Sequence, residues 1–185
     1  MRVIAGEAKG HSLKRPKEPN IRPTTDLVRG AIFSALEFMP VEWTRALDLY
    51  AGTGALGIEA LSRGVEEVDF VEQDSRCCSI IRANLQRTGL TERANIYCME
   101  ARKALRTIKE TYSLIFLDPP YYDRYDQTII GEVILSNLTR RQTTIVMEHS
   151  QKMRPDAAYG EFQLVKNLRH GDACVSMYQI VRDEN

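Results

Sequence analysis

Apolar positions along this chain switch period several times, and the switches mark out its elements. From Arg45 onward, short apolar runs alternate with stretches of helical spacing. Strand-like runs fall near residues 45–50, 67–72, 94–98, 113–118 and 143–148, with helical spacing near 55–63, 75–88, 101–109 and 126–137. Such alternation predicts right-handed βαβ crossovers and a parallel sheet covered on both faces. Phe162 to Leu168 and Ala173 to Val181, split by His170-Gly171-Asp172, predict a closing antiparallel hairpin. Before Arg45 the pattern is different. Arg2-Val3-Ile4-Ala5 is strand-like and Gly6 and Gly10 punctuate it, so Met1 to about Leu13 predicts a small hairpin. Lys14 to Pro23 holds three prolines and no periodicity, which predicts an extended loop. Thr24, Thr25 and Asp26 offer capping oxygens to a helix whose apolar face is Leu27, Val28, Ala31, Ile32, Ala35, Leu36 and Met39, ending near Pro40.

Composition narrows the class without choosing a function. At 185 residues the chain suits one domain and can bury a real core. No stretch resembles a signal peptide and no apolar run approaches the ~20 residues of a membrane helix, so a cytoplasmic protein away from membranes is expected. Cys77, Cys78, Cys98 and Cys174 lack C-x-x-C spacing and read as reduced thiols. No metal site is expected, since His11, His149 and His170 also lack ligand partners at a recognisable spacing. Trp43, ahead of the first strand, reads as a packing residue. Charge is more telling in its distribution than in its sum. Residues 1–30 carry seven basic side chains (Arg2, Lys9, Lys14, Arg15, Lys17, Arg22, Arg29) against three acidic ones (Glu7, Glu18, Asp26) within a net charge of +0. An ordinary solvated terminus would account for that; so would a basic arm that neutralises phosphates.

Ala46-Leu47-Asp48-Leu49-Tyr50-Ala51-Gly52-Thr53-Gly54-Ala55-Leu56-Gly57 joins a strand-like run to a helical one through a glycine turn. Gly52 and Gly54 let the backbone bend sharply and let a ligand come close. The glycines spell G-x-G-x-x-G, which a tight turn in any α/β protein would also explain. Asp48 shifts the balance. A diphosphate on a helix N-terminus needs positive potential, whereas an amine and a sulfonium cation are attracted by a carboxylate. D-x-x-x-G-x-G after a strand resembles the S-adenosylmethionine loop of class I methyltransferases. This resemblance implies that cofactor, held around Asp48, Tyr50, Ala51, Gly52, Thr53 and Gly54. It also implies an α/β, Rossmann-like, mostly parallel seven-stranded sheet in the order 3-2-1-4-5-7-6. A short hairpin-and-helix extension (1–40) would precede the methyltransferase domain (41–185).

Two further positions fit that crevice. Glu72 ends the second strand 20 residues after Gly52, where Rossmann-like folds place the acid that accepts from ribose hydroxyls, with Gln73 beside it. Asp74 reads instead as the cap of the next helix. Glu100 and Ala101 follow the third strand, where class I methyltransferases use a polar residue against adenine. An acid favoured by the helix dipole is the other reading of Glu100.

Leu114-Ile115-Phe116-Leu117-Asp118-Pro119-Pro120-Tyr121 is the most specific motif. A rigid strand end explains its prolines but not the carboxylate and aromatic together. Asp118-Pro119-Pro120-Tyr121 resembles the D-P-P-Y signature of methyltransferases acting on exocyclic amines of adenine or guanine. Such an amine is a poor nucleophile because its lone pair is delocalised into the ring. Asp118 and the Pro119 carbonyl can accept its two N–H bonds and hold it in line for attack. Proline has no backbone N–H, which leaves that carbonyl free and rigidly placed. Tyr121 offers a π-face to an extruded base, worth roughly 1–3 kcal/mol, against the few kcal/mol of unstacking. Tyr122 and Tyr125 follow, and either could help enclose the base.

The remaining landmarks resemble one family across essentially the whole chain. Arg2-Val3-Ile4-Ala5-Gly6, Lys9-Gly10, Leu13, Arg22-Pro23-Thr24-Thr25-Asp26 and Arg29 are similar to the N-terminal region of bacterial 16S rRNA guanine-N2 methyltransferases acting on guanine 966. Leu47-Asp48 to Leu61, Val71-Glu72, the D-P-P-Y tetrapeptide and Glu148 continue the match. The resemblance implies a monomer acting on 16S rRNA within an assembling 30S subunit. Arg22, Pro23, Thr24, Thr25 and Arg29 would line the target-base pocket, while Arg2 and Lys9 would hold phosphates. Tyr121 stands where Phe is more usual, and Glu100 where Asn or Asp is. Three rivals remain: an adenine-N6 methyltransferase, for which no sizeable recognition region is present; a dehydrogenase, against which Asp48 and D-P-P-Y argue; and a non-catalytic RNA-binding module, against which the intact acids argue.

Overall fold

Leu114-Ile115-Phe116-Leu117 is buried at every position, as a central strand covered on both faces must be. In the computed structural model, which describes residues 1–16, 25–119 and 126–181, the sheet is built outward from this strand and its neighbour. The elements run α1 (Asp26–Glu37), β1 (Arg45–Leu49), α2 (Ala55–Ser62), β2 (Glu67–Glu72), α3 (Ser75–Thr88), β3 (Ala94–Cys98) and α4 (Ala101–Thr107). They continue with β4 (Leu114–Leu117), α5 (Asp126–Leu135), β5 (Thr144–Ser150), β6 (Ala158–Tyr159), β7 (Phe162–His170) and β8 (Ala173–Ile180). Sheet order is β3-β2-β1-β4-β5-β8-β7-β6, with β1 to β5 parallel to their neighbours and β8, β7 and β6 antiparallel. The expected seven strands are therefore eight. The addition is the two-residue β6, which is too short to carry a period in the sequence.

Alternation along the strands divides the core into two layers. Ala46, Leu114, Phe116 and Val146 face a cluster shared with α1, α2 and α3. Leu47, Leu49, Ile115 and Leu117 face the other cluster, with α4 and α5 residues such as Ala104, Ile130 and Val133. Trp43 packs against the first cluster, its ring 6.4 Å from that of Phe33.

The expected hairpin is present in short form: the antiparallel bridge of Arg2 with Ser12 is flanked by bonds from the Val3 N–H to the His11 carbonyl (3.0 Å), the Gly10 N–H to the Val3 carbonyl (2.9 Å) and the Leu13 N–H to the Met1 carbonyl (3.1 Å). Val3, Ala8 and Leu13 lie in the same buried cluster as Ile58 and Leu61 of α2. Side chains of the domain satisfy further backbone groups of the arm. Buried Glu59 accepts from the Ile4 N–H (2.8 Å) and the Ala5 N–H (3.0 Å). Ser62 Oγ accepts from the Ala8 N–H at 3.0 Å and donates to the Ala5 carbonyl at 2.6 Å. A Cβ at Gly6, whose φ is +81°, would lie 1.7 Å from the Ser62 carbonyl oxygen, so glycine is required where the arm crosses α2.

Candidate active site

The first strand ends in a turn held by its own backbone and by two carboxylates. Tyr50 leaves β1 with φ 76°, and Gly52 and Gly54 follow at 54° and 77°. Tyr50 is the one non-glycine residue at positive φ among those described. The Tyr50 and Ala51 N–H groups both donate to the Val71 carbonyl, at 3.1 and 2.9 Å, which curls the turn over β2. Glu72, at the end of β2, accepts from the Gly52 N–H and the Asp74 N–H, each at 2.8 Å. A carboxylate has about four acceptor positions, so Glu72 supports the turn and still has capacity for ligand hydroxyls. At Gly52 an added Cβ would meet nothing within 4 Å, whereas at Gly57 it would sit 2.3 Å from the Phe70 ring. One glycine opens onto free space; the other lets α2 press against β2.

Asp48 stands one layer below. It is only 1% exposed, and its Oδ2 accepts from the Gly57 N–H at 2.9 Å. Burial pushes its carboxyl up to about 7, opposed by the Gly57 hydrogen bond and reinforced by the charge of Glu72. Asp48, expected on the cofactor side, fixes the first turn of α2 from beneath the loop. Thr53, Gly54 and Ala51 are buried as well, and what the turn offers outward is Tyr50 and Gly52.

Beside the turn, at the carboxyl ends of β2 and β3, lies an open cleft of about 530 Å³ lined by Gln73, Asp74, Cys98, Met99, Glu100 and Lys103. Asp74 caps α3 by accepting from the Arg76 N–H at 2.8 Å, and Arg76 beside it holds its carboxyl below the usual range. Glu100 occupies the N-cap of α4 but makes no side-chain capping bond, and Ala101 behind it is buried. Cys98, Met99 and Lys103 were given no role by sequence reasoning. Lys103 had a usable signal, since it lies three residues after Glu100 at the start of a helix and so returns to the same side.

Strand β4 brings the second motif to the same sheet end. Asp48 is registered opposite Phe116 and Leu49 opposite Leu117. Asp118 thus lies two positions beyond the level of Asp48, about 6.6 Å along the strand, rather than beside it. Asp118 is half-buried and Pro119 buried, while Pro120, Tyr121, Tyr122 and Tyr125 lie outside the described residues.

The substrate-side residues divide. Arg2 and Lys9 are exposed on the arm. Thr25 is the N-cap of α1, its Oγ1 accepting from the Val28 N–H at 3.2 Å. Arg22, Pro23 and Thr24 lie outside the described residues. Arg29 is 0% exposed and donates to the Arg2 carbonyl at 2.6 Å and to Asp26 at 2.9 Å, with Glu59 3.6 Å away. It braces the arm against α2. His149, also buried, lies 2.9 Å from Ser176 Oγ, and burial lowers its pKa.

Comparisons with known proteins agree with this geometry. The family described as conserved hypothetical protein 95 matches residues 1–179. YlbH of Bacillus subtilis (strain 168), whose name marks it as a candidate rRNA methyltransferase, is 35% identical over 97% of this chain and 98% of its own. Ribosomal RNA small subunit methyltransferase D of Haemophilus influenzae is 29% identical, over 97% of this chain and 93% of its own. Among solved structures, a candidate methyltransferase from Escherichia coli, yhhF, superposes with a TM-score of 0.84 at 27% identity, covering 97% of each chain.

Proposed function

Because the chain belongs to the conserved hypothetical protein 95 family, of the ribosomal RNA small subunit methyltransferase D type, we propose that it methylates the exocyclic N2 amine of a guanine in 16S rRNA, guanine 966, using S-adenosylmethionine. It acts as a monomer on an assembling 30S subunit in the cytoplasm. One observation carries this reading: β4, which runs into Asp118-Pro119, is the parallel neighbour of β1, whose positive-φ turn adjoins a cleft lined by Asp74 and Glu100 at the same sheet end.

The donor set fits the cofactor. Asp74 and Glu100 line the cleft with one cation, Lys103, while Glu72 and buried Asp48 support the turn beside it, so acids outnumber bases and the field favours a cation over a diphosphate. The open space above Gly52 admits a ligand against bare backbone. Glu72 would take the ribose hydroxyls, Glu100 and Gln73 the adenine side, and the Tyr50–Gly54 turn the remainder. When bound, S-adenosylmethionine supplies an electrophilic methyl group.

The chain's own residues do the rest. Asp118 and the Pro119 carbonyl accept the two amine hydrogens and aim the nitrogen lone pair into the cleft. Tyr121 stacks on the base once it leaves its helix. Arg2 and Lys9 hold phosphates, and Arg22, Pro23, Thr24 and Thr25 border the base.

Transfer of tritiated methyl to 30S subunits from cells lacking the enzyme, followed by nucleoside analysis, tests the reading. N2-methylguanosine at one site supports it; N6-methyladenosine overturns the base, and no transfer overturns the substrate. Asp118→Ala should bind S-adenosylmethionine normally while losing about 10³-fold in kcat. Glu72→Ala should weaken cofactor binding, and equal cofactor losses in both variants would contradict the assigned division of roles.

A further inference from the structure

One buried amide joins the two halves of the proposed site. Asn84, in α3, is 0% exposed. Its Oδ1 accepts from the Lys14 N–H at 2.7 Å, and its Nδ2 donates to the Lys14 carbonyl at 3.1 Å and to the Thr53 carbonyl at 3.0 Å. Both amide hydrogens are used, one on the arm and one on the glycine turn. Lys14 therefore pairs with a side chain as it would with a neighbouring strand, and the same side chain holds the turn at Thr53, three residues after the positive-φ Tyr50.

Lys14 and Arg15 are exposed cations at that point of the arm, and Arg87, one turn further along α3, reaches the Ser12 carbonyl and hydroxyl. Phosphates that order the arm would therefore order the Lys14 backbone, and through Asn84 the turn beneath the cofactor. Resting on the function proposed above, we infer that Asn84 is a positioning residue that couples RNA binding at the arm to cofactor binding at the glycine turn.

A coupling of this kind is reciprocal. The arm binds RNA more tightly when the turn is occupied, and the turn binds cofactor more tightly when the arm is occupied. The amide geometry also explains why this position is buried and polar together. An apolar residue would leave the Lys14 N–H, the Lys14 carbonyl and the Thr53 carbonyl without these partners.

S-adenosylhomocysteine, which cannot react, is titrated by equilibrium dialysis with and without saturating unmodified 16S rRNA transcript. The intact protein should bind it about fivefold or more tightly with transcript present. Asn84→Ser should retain binding of each ligand alone and lose that enhancement, with the helical signal in far-UV circular dichroism unchanged. If Asn84→Ser does not fold, Lys14→Pro removes the arm's N–H together with the side-chain cation and should abolish most of the enhancement, whereas Lys14→Ala, which removes the cation but keeps that N–H, should preserve more of it. An enhancement equal in the intact protein and in Asn84→Ser, or equal in Lys14→Pro and Lys14→Ala, overturns the inference. So does an intact protein that binds transcript with no enhancement. An intact protein that binds S-adenosylhomocysteine but neither the transcript nor 30S subunits overturns the proposed function itself.

Discussion

The sheet end and the arm are the two sides of the proposed site, and they are held by different balances of contact. At the sheet end parallel ladders run to Leu49, Glu72, Cys98 and Leu117, the Tyr50 and Ala51 N–H groups fold back onto Val71, and the carboxylates of Glu72 and Asp48 take the Gly52 and Gly57 N–H groups. Along the arm a few cross-strand backbone bonds, such as Val3 with His11, are supplemented by buried side chains of other elements, namely Glu59, Ser62, Asn84 and Arg29. A ladder loses one bond at a time. A side chain that serves several groups releases all of them at once, so the arm should be the more fragile to single substitutions and the more responsive to a ligand.

Glu59 offers the largest test of that contrast. It is nearly fully buried and holds Ile4, Ala5, Arg29 and Arg63 together, with Arg63 Nε 2.8 Å away. Glu59→Ala takes one of two carboxylates from the buried Arg29 guanidinium, leaving Asp26, and strips the Ile4 and Ala5 N–H groups of their acceptor, so it should cost about 3–5 kcal/mol. Urea unfolding measures the loss, and hydrogen exchange should show it concentrated at residues 2–13. A loss under about 1 kcal/mol, spread over the chain, would remove the contrast.

Asp48 is the counterpart in the sheet. Its carboxyl is raised to about 7 in the folded chain from 3.8, because burial opposes its charge. Between these values the native state keeps a proton that the unfolded chain has released. Stability should therefore fall as pH rises through that window, by up to about 1.4 kcal/mol per pH unit, and level off above it. Asp48→Asn should flatten the slope in thermal melts while leaving the arm's exchange protection unchanged. It should also weaken binding of the cationic cofactor above about pH 7, where the native carboxylate is ionised.

The glycines sharpen the comparison within the turn. Gly57→Ala drives a Cβ to 2.3 Å from Phe70 and should cost about 1–3 kcal/mol of stability. Gly52→Ala meets nothing, so its cost should be limited to about 1 kcal/mol of backbone strain at φ 54°. Its cofactor affinity should fall instead. Melts and cofactor titrations on the two variants separate packing from ligand access.

This same division decides what was legible in the sequence. The sheet's strands and helices each carry a period, so their succession and nearly all their bounds could be read, while the sheet order was implied by the family resemblance; Asp118-Pro119 and the glycine turn fell at strand ends as periodicity predicts. The two-residue β6 carries no period and was missed. The arm's attachment depends on pairs 54 to 70 residues apart, such as Ala8 with Ser62 and Lys14 with Asn84, and no local pattern announces them. Arg29 shows the consequence. Its charge and its place in a basic segment suggested RNA, but a partner as distant as Glu59 drew it inside. Asp48 was legible as a necessary acid and not as a buried one, because burial depends on how closely α2 packs over β1.

Thr25 gives the smallest effect and the finest cut, since it sits where the two regions meet. As N-cap it accepts the Val28 N–H, and the proposed function also sets it beside the target base. Thr25→Ala removes both roles and should cost about 1 kcal/mol of stability while raising KM for 30S subunits. Thr25→Asn keeps a capping oxygen but changes the shape presented to the base. If the base contact is real, Thr25→Asn should recover stability without recovering KM. Recovery of both together would make Thr25 a cap alone, and would shift the base-facing edge of the site onto Asp118 and the arm.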